Sequence, residues 1–283
     1  MNNHETKFLA DGFVFLEGPR WRDGHLWVSD MWDFLVYKVA ADGSREVVCE
    51  VPQRPSGLDF LSDGTALVVS MGNQKLMKIV DNQLVSYADL SGLAVGDIND
   101  MVLDSEGRAY VGCFGYDLFG GGEKQLADIL CVDQEGAVRV AAQGLDFPNG
   151  ILLKDNGRTL VVAETWANRL TKFDCALDGT LSNRQVYAEL GHRTPDGICL
   201  DQAGAIWISS FGSSEFLRVL DGGEITDRVY CEGKRAVACQ LGGADGRTLF
   251  CLTFAGEIED IHHRKRAGAI ETVRVAVGAA GFP

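Results

Sequence analysis

Apolar positions in this chain fall in short runs broken at regular places by small turn-forming pairs. Glu17-Gly-Pro-Arg-Trp21 is followed by Leu26-Trp-Val-Ser29, Leu35-Val-Tyr-Lys-Val39 and Glu46-Val-Val-Cys49, with Asp23-Gly24 and Asp42-Gly43 between them. Runs rich in β-branched and aromatic residues, separated by Asp-Gly pairs that favour tight hairpins, predict four short strands. The same order returns in Gly57-Leu-Asp-Phe60, Ala66-Leu-Val-Val-Ser70, Lys75-Leu-Met-Lys-Ile79 and Leu84-Val-Ser-Tyr87, then again over 99–142, 149–189 and 196–231. No stretch sustains the 3.6-residue period of a long helix, so the chain reads as all-β.

The repeat is measured by its turn glycines. Gly24, Gly64, Gly107, Gly157, Gly204 and Gly246 are separated by 40, 43, 50, 47 and 42 residues. Copies of four strands at this spacing predict a six-bladed β-propeller with four-stranded antiparallel blades, a single domain over 1–283. Runs 8–15 and 270–277 flank the copies, and pairing them in one blade would close the ring and remove free edges. In the third copy, 114–122 lengthens the connection between the second and third strands. In the sixth, the basic run 262–266 reads as a solvated loop before the last strand.

Alignment on the turn glycines brings Glu17, Ser56, Asn99, Asn149, Asp196 and Ala238 into one column, with the first copy one residue short. Equivalent positions of innermost strands line the central channel, so four oxygen-bearing side chains converge there beside two small ones. Asn or Asp before Gly is a common turn signal at any single position. Four polar side chains in one ring, two of them carboxylates, point instead to a bound cation or proton. Carboxylate and amide oxygens suit Ca²⁺ or Mg²⁺ and tolerate Zn²⁺ or Mn²⁺.

Composition narrows the partners. A formal net charge of -14 argues against nucleic acid or an anionic membrane surface as a partner. None of the eight cysteines forms a C-x-x-C pair, the N-terminus lacks the apolar core of a signal peptide, and reduced thiols in a cytoplasmic protein are expected. No apolar run approaches the roughly 18–20 residues of a membrane-spanning helix.

Several motifs occur in order along nearly the whole chain: Glu17-Gly-Pro-Arg-Trp21, Asn99-Asp100 with Gly107-Arg108, Pro148-Asn-Gly150, Pro195-Asp-Gly197 with Trp207, and Leu241-Gly-Gly243. Together they resemble the family of senescence marker protein, gluconolactonase and luciferin-regenerating enzyme. The resemblance implies a six-bladed propeller holding one divalent metal cation and hydrolysing a small-molecule lactone. It implies Glu17, Asn149 and Asp196 as metal ligands, Asp196 also as general base, and Asn99 as a contact for substrate or for a water on the cation. A metal that polarises an ester carbonyl, with a carboxylate taking the proton of the attacking water, is consistent chemistry.

The substrate side shows one match and one departure. Sugar-acid members of the family carry an acidic residue on the third-copy loop, where Asp117 stands, but an arginine where this chain has Asp97. A carboxylate in place of a cation reverses the local preference and places gluconolactone in question. Phe114, Tyr116, Phe119 and Trp166 are candidate walls for an apolar or ring-shaped substrate. Two other readings are a strictosidine-synthase-like enzyme, from the resemblance of 161–165 and 169–173, and a non-catalytic metal-binding propeller that docks protein.

Overall fold

The computed structural model describes residues 1–281, and its strands follow the turn-punctuated runs. Six sheets form, five of four strands and one of five. Their first strands are Leu16–Arg22, Pro55–Phe60, Ile98–Leu103, Pro148–Lys154, Pro195–Leu200 and Arg235–Gly242. These pack side by side in a closed circuit, the last returning to the first, which makes the fold a six-bladed β-propeller with the first strands innermost. Each interface between neighbouring blades holds its own apolar cluster.

Both chain ends close the ring, but in two places. Lys7–Phe13 lies antiparallel to Gly268–Arg274 as the outer strand of the sixth blade. The blades are four-stranded and antiparallel as expected, with one addition: Asn2–His4 lies as a parallel fifth strand against Ile225–Tyr230 at the edge of the fifth blade. Asn-Asn-His carries no β pattern; Asn2 Nδ2 and His4 Nε2 instead meet Asp227 Oδ1 at 3.0 and 2.9 Å.

The basic run 262–266 is exposed, as a solvated loop before the last strand would be, and its two arginines are also ion-paired. It leaves the short helix Ile258–His262, and Arg264 and Arg266 reach across to Asp33 of the first blade at 2.8 and 3.1 Å.

A repeated backbone hydrogen bond orients the channel. In the first five blades the first residue of the connection between second and third strands donates to the residue two places before the ring position. Met31 bonds the carbonyl of Phe15 (2.9 Å), Met71 that of Arg54 (2.9 Å), Phe114 that of Asp97 (2.8 Å), Thr165 that of Phe147 (3.1 Å) and Phe211 that of Thr194 (3.1 Å). The ring therefore lies toward the face where these connections gather. The hairpin turns marked by Gly24, Gly64 and their counterparts form the opposite face.

Candidate active site

The ring side chains owe their aim to a defect repeated in every inner strand. Register slips between Glu17 and Arg20, Pro55 and Leu58, Ile98 and Met101, Pro148 and Ile151, Pro195 and Ile198, and Ala236 and Ala238. Such a bulge leaves residues out of the ladder and turns a side chain away from the ordinary alternation. Close approach of neighbouring inner strands then requires glycine beside the ring. A Cβ on Gly150 would stand 2.5 Å from the Asp196 carbonyl oxygen, and one on Gly18 2.4 Å from that of Ser56.

Four of the predicted residues come together there, all buried: Glu17, Asn99, Asn149 and Asp196. A chain of hydrogen bonds links the second blade to the fifth. Ser56 Oγ donates to Asn99 Oδ1 (2.9 Å), Asn99 Nδ2 to Asn149 Oδ1 (2.9 Å), Asn149 Nδ2 to Thr165 Oγ1 (3.3 Å), and Thr165 Oγ1 to the Pro195 carbonyl (2.8 Å). The amides are thereby fixed in rotation. The Asn149 oxygen keeps a second lone pair and Asn99 keeps one N–H.

The carboxylates are left in electrostatic tension. Burial pushes Asp196 up to about 8, with Asn149 pulling it down and Asp100 pushing it further up. Glu17 is raised well above the ordinary range by burial and then by the charges of Asp196 and Asp100. Asp196 Oδ1 is buried with no hydrogen-bond partner among the described residues.

Beyond the ring, the inner strands carry further buried charges, among them Arg20 and Asp100, which stand in the sequence motifs without an assigned role there. Arg20 stands 3.4 Å from Asp100 and donates to the Met101 carbonyl at 2.6 Å, while Asp59 accepts from the Leu103 N–H at 2.7 Å. Burial raises both Asp59 and Asp100, and Arg20 opposes that rise in each.

The remaining predicted residues lie farther out on the ring face. Asp97 is partly buried and ion-paired with Arg54, a residue missed by the sequence reading. Burial pushes Asp97 above the ordinary carboxylate value, Arg54 opposes that rise, and Asp117 adds a smaller push upward. The signal for Arg54 was present: it stands two places before Ser56, as Asp97 stands two before Asn99. Asp117 is exposed, and its carboxylate accepts the Gly120 N–H at 2.8 Å, holding its own loop. Trp166 is 41% exposed, donates from Nε1 to the Tyr116 hydroxyl at 3.1 Å and packs on Phe147 at 5.2 Å between ring centres. Glu164 beside it is structural, fully buried against Arg169 and Arg184.

A large hollow of about 670 Å³ lies on the opposite face, among the hairpin turns, with Leu61, Asp104, Lys154 and Gln202 in its wall. It touches none of the ring residues.

With this geometry in place, the family comparison is decisive, since the SMP-30/Gluconolactonase/LRE-like region matches residues 15–255. The chain belongs to this family. Among relatives of this family, Lactonase drp35 of Staphylococcus epidermidis is 25% identical over 224 residues, which is 74% of this chain and 67% of that protein. Regucalcin of Danio rerio is 24% identical over 286 residues, 94% of this chain and 92% of that protein. The crystal structure of a calcium-binding protein, regucalcin from Agrobacterium tumefaciens, has a TM-score of 0.84 at 20% identity and covers 100% of this chain and 98% of that one, a likeness of fold.

The family implies a divalent cation, and the residues present fit one. No group of three or more His, Cys, Asp or Glu gathers as a metal site among the described residues. The set here mixes two carboxylates with an amide, all oxygen donors, as a hard cation prefers. The orphaned Asp196 oxygen and the mutual repulsion of Asp196 and Glu17 are what a bound positive charge would relieve.

Proposed function

We propose that this chain hydrolyses a small-molecule lactone, with Glu17, Asn149 and Asp196 holding one divalent cation and Asp196 acting as general base. It is an enzyme of the carboxylic-ester hydrolase class. The observation that carries the site assignment is the unpartnered Asp196 oxygen, buried on the ring with Glu17 and the two tethered amides. A divalent cation bound here supplies Lewis acidity toward an ester carbonyl and neutralises the paired carboxylates.

The chain's own groups do the rest. The Asp196 carboxylate takes a proton from the water that attacks the lactone carbonyl carbon, whose π electrons move to oxygen. When that oxygen re-forms the carbonyl, the ring C–O bond breaks, the proton passes to the departing alkoxide, and the product is a hydroxy acid. Asn99, held by Ser56 on one side and Asn149 on the other, presents its remaining N–H to a substrate oxygen. Exclusion of water by the apolar residues above the ring strengthens each of these interactions.

All eight cysteines are free and buried, which supports a reducing compartment, the cytoplasm, as the place of action. No helix among the described residues is long and apolar enough to cross a membrane.

The decisive experiment is proton release at constant pH from sugar, aliphatic and aromatic lactones, using metal-free protein and then added Ca²⁺, Mg²⁺, Mn²⁺ or Zn²⁺. Turnover only with metal supports the reading. Silence across all lactones and metals, despite cation binding, overturns it.

A further inference from the structure

Directly above the polar ring the channel changes character. The residues two places before the ring are Phe15, Arg54, Asp97, Phe147, Thr194 and Ala236. Phe15, Phe147 and Ala236 are buried, and Arg54 and Asp97 are ion-paired with each other. The connections that begin beside them open with Met31, Met71, Phe114, Thr165 and Phe211, all apolar but one. A single apolar cluster joins Phe15, Met31, Met71, Phe114, Phe147 and Phe254, so it draws on blades one, two, three, four and six. The other clusters each serve one pair of neighbouring blades.

The charged part of this collar is held from several sides. The Arg54 guanidinium lies 4.9 Å from the centre of the Phe119 ring and 5.4 Å from that of Trp32, and its Nε is buried without an acceptor among the described residues. Trp32 and Phe119 meet edge to face at 5.2 Å, and both pack on His262, at 4.9 and 5.9 Å. Phe119 belongs to the third blade and His262 to the sixth, so this aromatic group reaches across the mouth. Arg54 itself has a left-handed backbone, φ 66, a conformation costly for a side-chain-bearing residue and found where surroundings over-determine it.

A polyhydroxylated ring needs a hydrogen-bond partner for each hydroxyl it buries, and unpaired hydroxyls count heavily against it. The collar offers few. We propose that the Arg54–Asp97 pair, clamped by Trp32 and Phe119, sets specificity by closing the polar side of the mouth, so that the site selects lactones bearing an uncharged aryl or alkyl body over sugar lactones. This rests on the hydrolase reading above and names its substrate class.

The test compares kcat/KM for dihydrocoumarin and for glucono-1,5-lactone with metal-loaded protein, beside calorimetric binding of the corresponding lactams, which needs no turnover. Wild-type protein should prefer the aryl compound at least about tenfold in both measurements, the size of discrimination that pocket contacts supply. Asp97→Ala, which removes the acceptor and frees the guanidinium, should shift the kcat/KM ratio toward the sugar lactone by about tenfold, and Trp32→Ala should raise KM for the aryl lactone alone. A merely structural pair would change both substrates equally, and that result overturns the proposal, as does a wild-type preference for the sugar compounds. Sugar-lactone preference would leave the hydrolase reading standing, whereas aryl-lactam binding with no lactone turnover would sink that reading and keep the selectivity of the mouth.

Discussion

The two faces of this propeller are built from the same repeat yet have opposite properties. The ring face crowds Glu17 and Asp196 together in a small buried space beneath aromatic and sulfur-bearing side chains. The turn face opens into a hollow of about 670 Å³ whose walls are ordinary turn residues. Its carboxylates are satisfied: Asp104 and Asp201 accept from their own turn amides and pair with Arg108 and Arg218 at 2.7 and 2.6 Å. Cavity size alone would select the turn face, the end away from the proposed site. Chemistry is found where polar groups are buried without partners, because that unfavourable arrangement persists only when a ligand or a proton relieves it.

Substitutions can break this contrast, and the largest effect belongs to Asp196. Asp196→Asn should lower kcat by about 10²- to 10⁴-fold, since an amide oxygen ligates but takes no proton at neutral pH. Near-normal turnover would remove the base from the mechanism. Next comes the buried charge at Arg20. Arg20→Met leaves Asp100 and Asp59 buried without their cation, and denaturant titration should show a loss of about 3–5 kcal/mol. An unchanged midpoint would mean that water already serves these carboxylates.

Glu17→Gln should weaken cation binding by about tenfold or more, because ligand charge sets affinity for hard cations. Calorimetry reads this directly, and an unchanged affinity takes Glu17 out of the ligand set.

The same carboxylates predict a pH dependence with a definite sign. Asp196 moves from an ordinary 3.8 to about 8, so between these values the folded state holds a proton that the unfolded chain has released. Stability of the metal-free protein should therefore fall as pH rises from about 4 to 8, and a divalent cation added at pH 8 should restore it. Thermal melts at pH 5 and pH 8, with and without Ca²⁺, check this. A metal-free protein more stable at pH 8 would reverse the assignment. The smallest effect is expected on the other face: Gln202→Ala, in the wall of the hollow, should leave kcat/KM unchanged and stability within about 0.5 kcal/mol. A large loss of activity there would transfer function to the turn face.

The fold and the ring were legible in the sequence for local reasons. A turn glycine and the strands around it are specified by neighbouring residues, so Gly24 through Gly246 marked the repeat and put Glu17, Asn99, Asn149 and Asp196 in register. The mouth was less legible. Asp97 reads as an unopposed carboxylate along the chain, whereas Arg54, 43 residues earlier, is its hydrogen-bonded partner from the next blade. Asp117 matched a family pattern by position, yet its carboxylate caps its own loop at Gly120.

The sequence by itself determined the number of blades, the order of their strands and the set of side chains offered to the channel, since all of these follow from short-range turn and strand preferences repeated along the chain. Tertiary structure alone decided which charges neutralise one another, how the bulges aim the ring, where Asn2–His4 attaches, and that Phe119 meets His262 across the mouth. Those outcomes depend on distances between blades, which closure of the ring sets and local periodicity does not encode.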